Sequence, residues 1–236
     1  MKIKFWSDFA CPYCYIGEKR LLNAINKLGV ADKIELQPMA FELDPTAPKT
    51  VETDTVTRFA RKYRMPEAEA RAQVEHISKL GRDLGLEFNY AQSQYTNTFD
   101  AHRLMKLAED RISANVMKLD FLLFDAYFAK AQQLADWKVL IRLGKEAGLA
   151  EADIQSMLES GLYAQGVRAD EQAAAAAGVR GVPYFVFEDG VTVPGAASET
   201  DFELLIRRNL SGSTISGTGR GQTCGSEGCQ LGGQRP

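Results

Sequence analysis

The 236-residue sequence is poor in histidine and tryptophan, with two of each, and it has only four cysteines. Any imidazole-assisted proton transfer must therefore use His76 or His102. The cysteines fall in two close pairs, Cys11/Cys14 and Cys224/Cys229, too few and too widely separated in the chain for a disulfide scaffold. The excess of one sign of charge over the other is also small. The net charge is −3, and no basic patch or Lys/Arg stripe interleaved with aromatics marks a nucleic-acid partner. The acidic balance argues against an anionic membrane surface. No apolar run reaches transmembrane length, and Met1 to Asp8 lack the long apolar core of a signal peptide. The expectation is a cytoplasmic protein with no nucleic-acid and no membrane partner. In that compartment a Cys-x-x-Cys is more often redox-active or metal-binding than a structural staple.

The chain is organised around Cys11-Pro12-Tyr13-Cys14. A short apolar run, Ile3 to Trp6, reads as a strand, and an amphipathic segment comes after the motif. At a strand-to-helix junction the first thiol sits at the helix N-terminus, where unpaired N–H groups and aligned peptide dipoles favour an anion. That position is expected to lower the pKa of Cys11 and make it the nucleophile, with Cys14 as resolving thiol. Pro12 suits the first helical position, where its missing N–H costs nothing. Trp6 and Tyr13 would flank the thiol as apolar contact surface for substrate, although a strand-end tryptophan more often packs in a core. Two other chemistries fit the motif alone: half of a zinc site, or a pair of inert buried thiols.

The helix is expected from Pro12 to Leu28, ended by Gly29, with Glu18, Lys19 and Lys27 mostly outside. Lys33 to Leu43 reads as a second strand interrupted by Pro38. Strand signals then vanish. Helical periodicity marks segments after Pro66, from Asn97 or Thr98, from about Ala114 to Lys130, after Asp136, and around Ile154 to Leu158. An alanine-rich helix runs from Val167 to Ala177. Strands return at Gly181 to Phe187 and Val191 to Pro194, joined by an Asp189-Gly190 turn, and Thr200 to Arg208 reads as a closing helix. This order predicts an α/β protein: a thioredoxin-like fold with an all-helical insertion after the second strand and a flexible C-terminal tail. The expected division is residues 1–45 and 165–210 for the thioredoxin-like domain, 46–164 for the helical insertion, and 211–236 for the tail. In such a frame a cis Val182-Pro183 bond is expected, turning free backbone groups toward the Cys-x-x-Cys sulfur to pair with an extended peptide. A trans proline starting the strand is the alternative.

Three stretches in this order, Phe5 to Gly17, Asn97 to Arg103 and Gly178 to Phe185, resemble the FrnE-like branch of the DsbA family of thiol-disulfide oxidoreductases. The resemblance covers about Ile3 to Arg208. It implies a thioredoxin fold with a helical insertion, disulfide oxidoreductase activity at Cys11 and Cys14, and a cis proline at Pro183. The intervening dipeptide is Pro12-Tyr13, where periplasmic DsbA has Pro-His. The same superfamily includes glutathione-dependent transferases and isomerases, which typically carry a serine where Cys11 stands. Both cysteines favour dithiol chemistry here.

His102, in the second stretch, is a candidate for the active-site cleft or an interior residue of the helical block. Ser211 to Pro236 is rich in Gly, Ser and Thr and reads as a linker. Within it Cys224 and Cys229 are separated by four residues including two glycines, so their sulfurs can meet. A tethered dithiol suits a shuttle exchanging with Cys11, and FrnE-like proteins can carry such a pair. Two incidental exposed cysteines, or a soft-metal site shared with Cys11 and Cys14, are the other options. The expected function is disulfide exchange with protein thiols and disulfides, with glutathione or another small thiol as a recycling partner and no cofactor. The alternatives are a glutathione-linked transferase or isomerase and a thiol metal-binding protein.

Overall fold

A computed structural model describes residues 1–212, 224–225 and 228–229. The elements in chain order are β1 (Lys2–Ser7), α1 (Pro12–Leu28), β2 (Glu35–Ala40), α2 (Thr55–Tyr63), α3 (Glu67–Arg82), α4 (Phe99–Arg111), α5 (Val116–Phe128), α6 (Trp137–Ala147), α7 (Glu151–Glu159), α8 (Ala164–Ala176), β3 (Tyr184–Phe187), β4 (Thr192–Pro194), α9 (Glu199–Ser211), β5 (Cys224–Gly225) and β6 (Gly228–Cys229). The chain divides into two compact units, Met1–Leu43 with Ala174–Pro236, and Asp44–Ala173. No helix among the described residues is long and apolar enough to cross a membrane.

The first unit is built on a mixed sheet of order β2-β1-β3-β4, with β1 and β2 parallel and the other pairs antiparallel. It is the thioredoxin-like α/β sheet that the sequence predicts. Side chains alternate between faces along a strand, so Ile3 and Phe5 share a face with their register partners Phe187 and Phe185. All four are buried. The Phe5 and Phe185 rings lie 5.7 Å apart, and Phe202 of α9 meets Phe185 edge-on at 5.0 Å. Burying each such ring contributes about 1.5–3 kcal/mol. Helix α1 runs beside α9, tied by Asn23 Nδ2 donating to Glu199 Oε1 at 2.6 Å and by Lys27 to Glu203 at 2.6 Å. Gly29 ends α1 in the left-handed conformation (φ 64°), as its position predicts.

Two departures from expectation have local causes. Pro38 does not interrupt the second strand; it pairs across from Phe5 within β2. As β2 is the edge of the sheet, a missing N–H is tolerated there. Helix α2 is not among the helices read from the sequence, since Val56 and Phe59 are the only large apolar side chains it buries among polar neighbours; Asp54 starts it by accepting from the Thr57 amide at 2.9 Å.

The second unit is helical. Phe59, Phe88, Tyr90, Phe124, Tyr127 and Phe128 are buried in it, with Phe88 stacked on Phe128 at 4.6 Å. A Cβ on Gly81 would collide with the Phe88 ring, so glycine lets α3 come close to that stack.

One contact in the first unit sets the position of α1. A Cβ added to Gly17 would lie 3.0 Å from Pro183 Cγ and 3.3 Å from Ala196 Cα, because the helix is seated directly on the turns before and after the β3–β4 hairpin. Gly17→Val is therefore expected to lower stability by about 1–3 kcal/mol. The urea midpoint at unchanged m-value measures this, and a variant as stable as wild type would show that the seat is loose.

Candidate active site

The register Trp6↔Tyr184 brings the C-terminal end of β1 beside the N-terminal end of β3. The turn leaving β1 and the turn entering β3 must therefore meet. The first of these is held by Asp8, only 2% exposed. Its Oδ1 accepts from the Ala10 amide at 3.2 Å, its Oδ2 from the Leu43 amide at 2.7 Å, and its carbonyl from the Cys11 amide at 2.9 Å. Cys11 is the N-cap of α1, with extended backbone (φ −94°, ψ 113°) and no side-chain capping bond. Pro12 begins the helix. The Cys11 sulfur is thus not spent on its own helix, and its S–H donates to the Val182 carbonyl at 3.7 Å.

The Val182–Pro183 peptide is cis, as expected. The Pro183 carbonyl accepts from the Gly195 amide at 2.7 Å, which fixes the turn against β4. Val182 offers its N–H and C=O as an edge, and that edge is occupied. Its N–H donates to the Cys224 carbonyl and its C=O accepts from the Cys224 amide, both at 2.6 Å, as an antiparallel bridge. Cys224 is buried and disulfide-bonded, while Cys11 and Cys14 are free thiols. In β5–β6 the register partner of Cys224 is Cys229. Cys11, Val182, Pro183 and Cys224 are therefore brought together in one unit.

The sequence reads the tail as a loose arm. Its described part is instead a strand bound by two backbone hydrogen bonds, because Val182 has a donor and an acceptor that its own sheet does not use. The rest of that expectation, for residues 213–223, 226–227 and 230–236, lies outside the described residues.

Exposure also departs from expectation. Cys11 is 0% exposed, whereas attack on an external disulfide needs an accessible sulfur. Trp6 and Tyr13 are 5% and 0% exposed, so neither presents contact surface to substrate in this state. Trp6 packs edge-on against Tyr184 at 6.3 Å. Glu18, expected outside, is 1% exposed. Ser7 Oγ donates to Glu18 Oε1 at 2.5 Å, which gives the buried carboxylate a partner at the end of β1.

Glu18 lies four residues after Cys14, hence on the same helix face. The Cys14 thiol is pushed well above its ordinary value, first by burial, then by the neighbouring Cys11 sulfur and by the negative charge of Glu18. The Cys14/Glu18 spacing is the available signal for this carboxylate, and a reading as an exposed helix charge misses it.

His102 is buried on α4 of the second unit, 3% exposed. Its neighbours in the Asn97–Arg103 stretch have structural work. Asn97 Oδ1 accepts from the Phe99 amide at 3.0 Å, and Arg103 pairs with Asp100 at 2.7 Å and donates to the carbonyls of Leu162, Met157 and Ser160 after α7 or at its end. Among the described residues no group of three or more His, Cys, Asp or Glu side chains could hold a metal ion.

Known proteins share this architecture. Residues 2–207 match the DSBA-like thioredoxin domain, and the chain belongs to that family. It is 31% identical to the "probable DsbA oxidoreductase SCO1869" of Streptomyces coelicolor, with a TM-score of 0.84 over 99% of this chain and 100% of that one. It is 29% identical over 209 residues to the uncharacterized protein YwbO of Bacillus subtilis (strain 168), covering 86% of this chain and 94% of YwbO. The cytosolic disulfide reductase DsbM of Pseudomonas aeruginosa has the same fold at 14% identity, with a TM-score of 0.62 over 90% of this chain and 100% of DsbM. DsbM has also been solved with GSH.

The role of Glu18 in the electrostatics of the site is measurable. In a Cys11→Ser background, Glu18→Gln removes a like charge beside Cys14 and is expected to lower the pH at which the Cys14 thiol ionises, read from the pH dependence of its alkylation. An unchanged midpoint would show that Glu18 has no part in holding the thiol protonated.

Proposed function

We propose that the protein is a cytoplasmic thiol-disulfide oxidoreductase acting on protein disulfides. The Cys11 thiolate attacks a substrate disulfide, forming a Cys11–substrate mixed disulfide and expelling one substrate thiolate. Cys14 then gives up its proton and attacks the Cys11 sulfur. The second substrate thiolate leaves, and a Cys11–Cys14 disulfide remains. Two electrons pass from the protein dithiol to the substrate disulfide, and the reverse sequence oxidises a substrate dithiol. Throughout, Pro183 holds Val182 so that its backbone pairs with the substrate strand.

The observation that carries this reading is the convergence on Val182: the Cys11 sulfur donates to its carbonyl, and a strand bearing a disulfide-bonded cysteine pairs with its backbone. The Cys224 strand is arranged there as a substrate would be. Accordingly Cys224 and Cys229 form a second redox pair. Cys11 attacks Cys224, the Cys229 thiolate leaves, and Cys14 resolves the Cys11–Cys224 link; the tail is reduced and the Cys11–Cys14 pair oxidised. Glutathione disulfide then reoxidises the tail dithiol and is itself reduced to two GSH; glutathione is a partner class in keeping with the GSH-bound structure of DsbM. The presence of both Cys11 and Cys14, where the glutathione-dependent members typically carry a serine at the first position, supports the dithiol chemistry over a glutathione transferase or isomerase.

Cys11→Ser is expected to abolish reduction of insulin disulfides by the dithiothreitol-reduced protein above the uncatalysed rate. Substantial residual turnover would exclude Cys11 as the nucleophile. A Cys224→Ser/Cys229→Ser chain is expected to keep a single round of substrate oxidation by its Cys11–Cys14 disulfide but to turn over more slowly with glutathione disulfide as oxidant. Equal steady-state rates with and without the tail pair would remove the second pair from the cycle.

A further inference from the structure

The edge that a substrate needs is already taken. Val182 has one N–H and one C=O, and both are bound to Cys224 at 2.6 Å. A backbone donor cannot serve two strands at once, and strand addition to this edge is how an extended segment would be recognised. The Cys11 sulfur shares the same carbonyl at 3.7 Å and has no exposed surface. Cys224 itself is fully buried, so its strand is seated and does not merely pass over the site.

We propose that β5 is a built-in competitor for the substrate edge: an external disulfide-bearing segment binds at Val182 only by displacing the chain's own Cys224 strand. This rests on the reading of Cys11 as the nucleophile, and it adds that the tail restrains the first step as well as recycling the last. The partner that fits is an extended segment with a half-cystine at the residue that bridges Val182. It must supply the same two backbone hydrogen bonds as β5, because that is all it can gain there. Tethering gives β5 a concentration advantage over any free segment. Two backbone hydrogen bonds and one buried side chain are a modest hold, however, so the cover opens without unfolding the sheet. The apparent substrate affinity is the intrinsic affinity scaled by the fraction of molecules with the edge open. The restraint therefore acts on KM and on the reactivity of Cys11, and it leaves the chemistry after displacement unchanged.

The test compares two full-length variants with equal thiol content. Cys224→Ser and Cys224→Pro both lack the tail disulfide, so any recycling by the tail is lost equally. The serine chain keeps the amide that donates to Val182, and the proline chain does not. In the reduced proteins, alkylation of Cys11 by iodoacetamide is expected to be faster in Cys224→Pro, by roughly 5-fold for the loss of about one net hydrogen bond. With dithiothreitol as reductant, KM for insulin should fall by a similar factor at unchanged kcat. Equal labelling rates and equal KM in the two variants would overturn the proposal. If Cys11 labels faster in the proline chain but neither variant reduces insulin, the cover exists and the nucleophile assignment fails, so the two claims are separable.

Discussion

The rest of the site depends on how the first turns of α1 seat against the Val182–Pro183 turn. Antiparallel pairing of β1 with β3 brings the two loops together at Trp6↔Tyr184. The absence of a side chain at Gly17 then lets the helix come within van der Waals reach of Pro183 and Ala196. Asp8 fixes the approach by binding the amides of Ala10 and Leu43 at once, which couples the head of α1 to the chain leaving β2. With both loops held, the Cys11 sulfur faces the carbonyl of Val182, whose backbone edge is taken by Cys224. A sulfur and a strand edge are thereby held in contact, which is the geometry the proposed exchange requires.

Beneath that contact the charges are arranged so that the buried thiol does not ionise easily. Cys14 sits between the Cys11 sulfur and Glu18, and burial, the sulfur and the carboxylate all act in the same direction. Two negative charges so close in a dry environment repel strongly. The Cys14 thiol is therefore held toward its protonated form. Ser7 belongs to this arrangement, because its hydroxyl binds the Glu18 carboxylate and ties it to the sheet. The Arg103 cluster of the second unit is different in kind. It satisfies the carbonyls at and after the end of α7 and holds the α4–α7 region of that unit together.

Much of this is legible in the amino-acid sequence. The Cys-Pro-Tyr-Cys motif, the glycine after Leu28 and the strand-helix-strand order point to α1 and its reactive end. The proline before Tyr184 points to the cis turn only within the thioredoxin-like frame, since a trans proline can also start a strand. Three features are hidden for physical reasons. Glu18 has the look of a solvated helix charge, and only the tertiary position of Ser7 brings it a buried partner. Pro38 looks like a break, yet an edge strand has no use for its missing N–H. The tail is too polar and glycine-rich to form a core, and composition cannot show that two backbone groups left over at Val182 will order Cys224. Local pattern reports what a segment can do alone, and each of these features is made by a partner distant in sequence.

With Cys11 and Cys14 free, Cys224 disulfide-bonded, and Cys11 and Cys224 both bonded to Val182, the arrangement is the one from which the proposed exchange would start. The most direct check is to stop that exchange halfway. In a Cys14→Ser chain with no added substrate, the thiol released from the tail is trapped by alkylation and the cross-links are mapped by peptide mass spectrometry. A Cys11–Cys224 link with Cys229 alkylated is the predicted product, because Cys224 is the residue bridged to Val182. A chain that retains only the Cys224–Cys229 disulfide, or that joins Cys11 to Cys229, would contradict it.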